Sequence, residues 1–222
     1  MSLSVILPVH EDGTGWTARI LARLAEVPGL DVICAGDSAV AEGGGVRFLR
    51  VDAPSRGERL QAGIDAARHP TILLHHPRSL VEAAGLRWLA GRAGPVGWGG
   101  FTHAFDWDHP LLRFTSWYSN HARASRRGIV YLDHCVFFER RLLTRPIPPV
   151  PIFEDTELSL ILRESGPPQV LPFVSTTSAV RFRANGPWRQ SLLNARLKLQ
   201  YLLGASPRRM NARYERGLGL NS

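Results

Sequence analysis

The sequence has few cysteines, almost no lysine and no long apolar run. Its two cysteines, Cys34 and Cys135, lie in apolar segments, which favours core thiols over a disulfide framework or a zinc site. No apolar run approaches the length of a membrane-spanning helix, and the first residues lack the charged and apolar regions of a signal peptide. We therefore expect a cytoplasmic protein.

Lysine is nearly replaced by arginine in this chain. Lys198 is the single lysine among 27 basic residues, and the net charge is +8. Because such an arginine bias also follows from genomic base composition, the charge is weak evidence for a nucleic-acid partner. No nucleic-acid recognition motif accompanies it, so we expect none. The charge suits smaller anions, such as sugar nucleotides and phosphates, or a lipid surface.

Short apolar runs alternate with helical patterns in the first third of the chain. This order predicts an α/β fold with an open, mostly parallel sheet flanked by helices. Ligands of such sheets bind beyond the carboxyl ends of the strands. The predicted strands are Ser4–Val9, Asp31–Gly36, Val46–Val51 and Thr71–His76, and the predicted helices are Trp16–Val27 and Ser55–Ala67.

The second half of the chain is less regular. The glycine-rich segment Gly94–Gly100 is expected to break the pattern, and a helix is expected after Pro110. Further predicted elements are a strand over Val130–Phe138 interrupted by Asp133 and His134, an edge strand over Val170–Val180, and an amphipathic helix over Trp188–Leu203. That last helix could pack on the sheet, form a homodimer or lie on an anionic membrane, and packing is the default.

Three carboxylates cluster at the start of another predicted helix. Glu154, Asp155 and Glu157 follow a proline-rich approach that cannot be helical, and Gly166-Pro167 ends the segment. Acidic residues in a first turn are favoured by the helix dipole, so a purely structural role is available. On that interpretation Asp155 is a helix N-cap.

Several segments, in this order, resemble known motifs. They are Ser4-Val5-Ile6-Leu7-Pro8, Ser55–Gly63, Asp133–Phe138, Glu154-Asp155-Thr156-Glu157-Leu158-Ser159, Thr176–Phe182 and Asn185–Arg189. With them the chain resembles family 2 glycosyltransferases, which have the GT-A fold. More narrowly it is similar to the small bacterial branch labelled radical-SAM/selenodomain-associated transferases. The resemblance covers most of the chain.

The resemblance implies one GT-A domain over residues 1–222. Residues 1–90 would bind the nucleotide, residues 91–185 would carry the acceptor and catalytic half, and residues 186–222 would form a C-terminal helix and tail. The implied activity is inverting transfer of a hexose-type sugar from a nucleotide-sugar donor to an unknown acceptor. Contact with a membrane would suit a lipid-linked acceptor. The family's general base falls on Asp155, with Glu154 beside it to orient it or bind acceptor.

One motif departs from the family. Relatives hold a divalent cation, Mg²⁺ or Mn²⁺, with an acidic residue at the end of the fourth strand, and here that position is Pro77. Three interpretations are open: the Arg78 guanidinium replaces the cation, His75 or His76 binds a softer metal, or the chain is a non-catalytic homologue that binds a nucleotide, a lipid head group or a protein. For the histidine pair, one buried and one surface side chain is favoured over a metal site.

The remaining substrate-binding candidates follow from the same resemblance. They are Pro8, His10 and Glu11 around the end of the first strand, Asp37 after the second, Arg56 and Gln61 in the next helix, Arg78, and Asp133. A solvated helix-start arginine is an equal alternative for Arg56. For Asp133, a satisfied polar pair with His134 is an equal alternative to an acceptor-side role.

Overall fold

A computed structural model describes residues 3–10, 15–52 and 55–216. The described residues form eight strands and eight α-helices. The strands are β1 (Leu3–Val9), β2 (Asp31–Gly36), β3 (Val46–Arg50), β4 (Thr71–Leu74), β5 (Ser79–Val81), β6 (Trp98–Phe105), β7 (Val136–Glu139) and β8 (Gln169–Thr177). The helices are α1 (Trp16–Ala25), α2 (Arg56–Ala66), α3 (Ala83–Gly91), α4 (Pro110–Tyr118), α5 (Glu154–Leu162), α6 (Val180–Asn185), α7 (Pro187–Leu202) and α8 (Pro207–Tyr214).

All eight strands belong to one sheet, in the order β3-β2-β1-β4-β7-β6-β8-β5. The first four strands are parallel, β7 is antiparallel to both of its neighbours, and β6 pairs with β8 in parallel. The predicted α/β class with a mostly parallel sheet is therefore confirmed. The predicted edge position of β8 is wrong, because the three-residue strand β5 pairs with its outer side.

The first half of the chain follows its hydrophobic pattern closely. All residues of β1 and β2 are buried, as continuous apolar runs between parallel neighbours require. Helix α2 begins with a capping box, in which Ser55 and Glu58 each bond the other's backbone N–H. These elements place the carboxyl ends of β1, β2 and β4 along one edge of the sheet.

The glycine-rich segment Gly94–Gly100 breaks the pattern only over its first part, since residues 94–97 form neither helix nor strand. Strand β6 begins inside it at Trp98. A Cβ on Gly99 would stand 1.9 Å from the carbonyl oxygen of Gln169, and one on Gly100 would stand 2.8 Å from Cβ of His134. Glycine is required here because two neighbouring segments approach the β6 backbone closely.

Apolar cores cover both faces of the sheet and contain the two cysteines. Cys34 and Cys135 are free and fully buried, and burial raises the pKa of each thiol to about 12. The prediction of core thiols is confirmed.

The acidic segment does start a helix, but its cap differs from the structural interpretation. Phe153, with φ 66°, is the N-cap of α5, and Asp155 lies inside the first turn. A 3₁₀ turn over Arg163–Ser165 follows the helix before Gly166. Glu154 and Asp155 therefore lie together in the first turn of α5, directly after the proline-rich approach and at the edge of the sheet.

The C-terminal helices close this edge. Helix α7 confirms the predicted amphipathic helix, and the segment after it forms α8, which the pattern did not indicate. Within the described ranges, no helix combines the length and apolar character needed to cross a membrane.

Candidate functional site

A cavity of about 200 Å³ lies beyond the ends of β4 and β8, between the first turns of α2 and α5 and the inner side of α7. Several carboxylate and basic side chains line its wall. They are Asp133, Asp155, Arg56, Arg78, Arg123, Arg181 and Lys198. Carboxylates and cations thus share one partly open pocket, the usual setting of a ligand site.

Asp155 faces this cavity from the first turn of α5. Its Oδ2 accepts a hydrogen bond of 3.1 Å from the backbone N–H of Leu132. Burial, followed by the charge of Glu154, raises the pKa of Asp155 to about 6, although Arg56 acts in the opposite direction. A carboxylate with a pKa near neutrality is suited to accept a proton.

Glu154 is turned away from the cavity and is paired. Its side chain is 2% exposed, and both Nε and Nη2 of Arg56 lie 2.5 Å from its Oε1. Arg56 itself is only 17% exposed, so the solvated-arginine interpretation is wrong. The ion pair holds the start of α2 against the start of α5 and fixes the backbone that carries Asp155.

Asp133 forms the second acidic wall, surrounded by basic groups. Its carboxylate oxygens lie 3.6 Å from His103 Nε2 and 3.8 Å from Arg123 Nη2. Burial alone would raise the pKa of Asp133, but His103, His134 and Arg123 together lower it below its ordinary value. The Asp133 carboxylate is therefore ionised at neutral pH.

His134 beside it is a structural histidine. Its Nδ1–H donates to the carbonyl of Phe101 at 2.9 Å, and its Nε2 lies 2.6 Å from the Ser119 hydroxyl. Burial lowers the pKa of His134 to about 3, so its imidazole is neutral and Nε2 accepts from Ser119.

At the end of β4 both histidines are buried, so the expectation of one surface histidine is wrong. His75 is 0% and His76 9% exposed, because β4 lies in the middle of the sheet between β1 and β7. The Nδ1–H of His75 donates to the His76 carbonyl at 2.9 Å, and Nδ1 of His76 accepts from the Arg78 N–H at 3.2 Å. Both rings are engaged by their own loop.

This loop does not suit a divalent cation. Pro77 has no ligating side chain, and Arg78 and Arg56 bring positive charge to the same cavity. Hard cations such as Mg²⁺ and Mn²⁺ prefer several oxygen ligands. Across residues 3–10, 15–52 and 55–216, no group of three or more His, Cys, Asp and Glu side chains is placed to hold a metal ion.

Three guanidinium groups instead line the cavity near the end of β4, from Arg56, Arg78 and Arg181. Burial, then the charges of Arg181 and Arg56, lowers the pKa of Arg78 to about 10. Arg181 is anchored by Glu215 at 2.6 Å and by the Tyr214 carbonyl at 2.8 Å. Clustered cations of this kind create a positive potential that favours an anionic ligand.

Lys198 is a residue of this cavity that was not predicted from the sequence. It reaches the cavity from α7, and its Nζ lies 5.6 Å from the centre of the Tyr131 ring, which Arg123 also covers at 3.5 Å. Burial and the charge of Arg123 lower the pKa of Lys198 to about 8. The one unusual feature of Lys198 in the sequence is that it is the single lysine. That feature does not indicate where the residue lies in the fold.

A second polar cluster lies at the ends of β1 and β2. Nδ1 of His10 is 2.7 Å from Oδ2 of Asp37, and Arg59 Nη2 is 3.8 Å from the same oxygen. Arg59 follows Arg56 by one turn of α2, so this helix connects the cluster to the cavity. Pro8 is buried in β1 opposite Ala35 and positions His10 through the backbone.

Gln61 lies apart from these groups. The Gln61 side chain donates to Asp65 at 2.8 Å and accepts from the Ile147 N–H at 2.9 Å, which ties α2 to the proline-rich approach. Glu11 lies outside the described residues. The structure thus brings Asp155, Asp133, Arg56 and Arg78 into one cavity, with Glu154 immediately behind it.

Comparison of the sequence with protein-family profiles and with curated protein sequences finds no match. Solved structures do match the fold. Staphylococcus aureus TarS 1–349 in complex with UDP-GlcNAc superposes with a TM-score of 0.60 at 13% identity, covering 80% of this chain and 58% of TarS 1–349. The chain has the GT-A fold of nucleotide-sugar transferases.

Two further solved structures with the GT-A fold also match this chain. The mannosyltransferase PcManGT from Pyrobaculum calidifontis, with GDP-Man and Mn²⁺, gives a TM-score of 0.59 at 15% identity over 88% of this chain and 61% of its own. Glucosyl-3-phosphoglycerate synthase from Mycobacterium tuberculosis, with Mg²⁺ and UDP, gives 0.53 at 16% identity over 92% and 80%. The chain spans about 60% of the length of the TarS 1–349 structures it matches.

Proposed function

We propose that this protein transfers a sugar, with inversion, from a nucleotide-diphosphate sugar to an acceptor hydroxyl, with Asp155 as the general base. The observation that carries the proposal is the position of Asp155 inside a GT-A cavity at a pKa of about 6. The likeness to structures holding UDP-GlcNAc, GDP-Man and UDP supports a nucleotide-sugar donor.

The proposed chemistry is a single displacement. The acceptor oxygen attacks the anomeric carbon of the donor sugar as the carboxylate of Asp155 takes the acceptor's proton. The bond between that carbon and the diphosphate breaks, and a nucleoside diphosphate leaves. Asp155 accepts the proton only when ionised, so the rate should rise with pH through about 6. Its hydrogen bond from Leu132 fixes the direction of the carboxylate.

The leaving diphosphate needs compensating positive charge, and we assign this role to Arg78 with Arg56 and Arg181. Several charge-assisted hydrogen bonds from guanidinium groups to phosphate oxygens supply fixed positive charge where the leaving group develops negative charge. The lowered pKa of Arg78 supports this assignment, because an anion in the cavity would offset the burial of this guanidinium and its repulsion by Arg181 and Arg56, which together lower the pKa. Solved structures of the same fold contain Mg²⁺ or Mn²⁺, so the fold allows a divalent cation. The side chains at the end of β4 in this chain do not fit such a cation.

The other contacts divide between the two substrates. We place the nucleoside near His10, Asp37 and Arg59, at the ends of β1 and β2, in keeping with residues 1–90 as the nucleotide-binding half. We place the acceptor near Asp133 and Lys198, toward the second half of the chain. A hexose as the transferred sugar, the narrower bacterial branch and a cytoplasmic location stay predictions.

A second candidate function is favoured by one observation, the absence of an acidic residue at Pro77. On this alternative the protein is a non-catalytic homologue that binds a nucleotide, a lipid head group or a protein partner. The retained base at Asp155 favours the enzyme.

A donor panel distinguishes the two. Purified protein is incubated with UDP- and GDP-hexoses, and nucleoside diphosphate release to water is followed by phosphorus NMR, beside Asp155→Asn and the matched control Asp108→Asn, whose side chain is 80% exposed. The enzyme should release diphosphate from at least one donor, and Asp155→Asn should not. Nucleotide binding without release from any donor would favour the non-catalytic homologue.

A further inference from the structure

The apolar side chains that this protein exposes are concentrated in one place. Among the described residues, all seven large hydrophobic side chains classed as exposed lie on α4 or on α7 and its C-terminal end. They are Phe114, Trp117, Trp188, Leu192, Leu199, Leu202 and Leu203. Helices α4 and α7 contact each other, and we infer that their exposed apolar side chains form one surface. We call this set the α4–α7 face.

The spacing along α7 makes its part of the face continuous. Trp188, Leu192, Leu199 and Leu202 are separated by four, seven and three residues, which places them on one side of a helix. Their exposed fractions range from 57% to 78%. The opposite side of α7 holds Leu197, which is buried against the protein. An exposed apolar stripe of this size marks an interaction surface rather than ordinary surface variation.

The two stretches of chain that carry this face contain only basic charged residues, and Asp108, just before α4, pairs with Arg113 of that helix. Residues 109–132 and 180–214, which contain α4 and α7, include no aspartate or glutamate. The same stretches contain exposed arginines at positions 126, 127, 189, 196, 208 and 209. A partner that fits must therefore be apolar within and negatively charged at its boundary.

We propose that the α4–α7 face binds an anionic membrane surface. A helix with Trp and Leu on one side and arginine at its borders matches the pattern of interfacial helices, in which the apolar side enters the head-group region. Arginine beside the bilayer gains from the negative potential of anionic lipids. A second copy of this chain fits less well, because the same acid-free, arginine-bearing face would meet itself.

The position of the face adds a consequence for the acceptor, which rests on the proposed transferase function. Thr115 of α4 and Asn194 and Lys198 of α7 line the cavity from the same two helices. A lipid-linked acceptor held in the membrane would then reach Asp155 beside these helices without leaving the bilayer surface. The membrane contact itself does not depend on transfer.

Co-sedimentation of the full chain with vesicles tests the membrane contact without any nucleotide. Phosphatidylcholine vesicles are compared with vesicles that also contain phosphatidylglycerol. We expect binding to the anionic vesicles that weakens with salt. Arg189→Gln with Arg196→Gln should weaken it roughly 30-fold, at about 1 kcal/mol for each arginine.

Two variants separate this face from general basic charge. Leu192→Ser with Leu199→Ser should weaken vesicle binding roughly tenfold or more, because two inserted apolar side chains are lost. Arg50→Gln with Arg68→Gln removes the same charge from exposed positions on edge strand β3 and after α2, and should leave binding unchanged. Thermal unfolding of each variant checks that it is folded.

Three results would overturn the proposal. The first is no binding of the wild-type chain to anionic vesicles at low salt. The second is equal weakening by the face and control arginine pairs with no effect of the leucine pair, which would mean non-specific attraction by the net charge. The third is a dimer by light scattering that the leucine pair dissociates, with no vesicle binding. None of these depends on donor turnover, so failure here is distinct from failure of the proposed activity.

Discussion

Two segments reach the same cavity with opposite charge: the loop after β4 and the first turn of α5. The α5 turn keeps the acidic pattern of the resemblance, whereas the β4 loop has Pro77 and Arg78 where an acid would hold a metal. The cavity disfavours the charged form of both side chains: it raises the pKa of Asp155 to about 6 and lowers that of Arg78 to about 10. On the proposed function, the α5 turn accepts the proton, and the arginines beside the β4 loop neutralise the phosphates in place of a metal ion.

The two segments also differ in how they are held. The α5 turn is fixed by the buried Glu154–Arg56 ion pair and by the hydrogen bond from Leu132 to Asp155. The β4 loop is fixed by its own histidines, which bond within the loop. Substitutions in the two segments should therefore separate turnover, stability and nucleotide affinity.

The largest effect should come from Asp155→Asn on turnover. Loss of a general base typically lowers the rate about 10²- to 10⁴-fold, and the amide keeps the size and the acceptor oxygen for Leu132. Nucleotide affinity should change little, because the cationic wall is intact. Steady-state kinetics with calorimetry measures both, and an unchanged kcat would remove Asp155 from the mechanism.

Glu154→Ala should have the largest effect on stability. Removing one partner of a buried ion pair leaves the other charge uncompensated and costs about 3–5 kcal/mol. The control is Glu164→Ala, which breaks the exposed pair with Arg145 and should cause little measurable change. Denaturant unfolding compares them, and equal losses would mean that the Arg56 pair is not a special anchor of the α5 turn.

Asp155→Asn should also stabilise the protein, in a pH-dependent manner. The folded pKa of about 6 lies above the ordinary value of 3.8, so the folded state retains a proton that the unfolded state releases. Wild-type stability therefore falls as pH rises through this window, and the variant does not share that fall. We expect it to be more stable at pH 7 by about 1–3 kcal/mol, with the difference vanishing below the ordinary pKa. A difference that grows on acidification would contradict the raised pKa.

The smallest effect should come from Tyr201→Phe, which tests the outer carboxylate of α5. The Tyr201 hydroxyl donates to Glu157 at 2.6 Å and joins α7 to α5. Its loss should cost about 1 kcal/mol of stability and leave turnover within a few-fold of wild type. A drop in turnover comparable to that of Asp155→Asn would show that Glu157 shares in the chemistry.

The parts of the fold that the sequence predicted are those with local signals. Strands β1 and β2 are continuous apolar runs, and α2 is introduced by its capping serine. Strand β5 has only three residues, too few to give a hydrophobic pattern. The glycines of β6 were interpreted as a break in the pattern, whereas in the structure they allow neighbouring segments to pack closely on this strand. The position of β8 depends on β5, a neighbour that is distant in sequence.

The same division holds for the site. Asp155, Asp133, Arg56 and Arg78 were predicted through the resemblance, since each lies at a motif. Lys198 was missed as a site residue because only the packing of α7 over the sheet edge brings it to the cavity. Arg181 was missed although it lies in the Thr176–Phe182 motif, because its position depends on its contacts with the end of α8. The burial of both histidines after β4 was likewise hidden, since it depends on the central position of that strand.

The central claim is that Arg78 and its neighbours replace a metal ion at the diphosphate. Calorimetric titration with UDP and GDP, each with and without Mn²⁺, tests it on wild type, on Arg78→Ala and on the control Arg68→Ala. We expect wild-type binding without Mn²⁺ and a loss of roughly 10- to 100-fold in Arg78→Ala, as for charge-assisted hydrogen bonds to phosphate, with the control unchanged. Binding that requires Mn²⁺, or that survives intact in Arg78→Ala, would contradict the account.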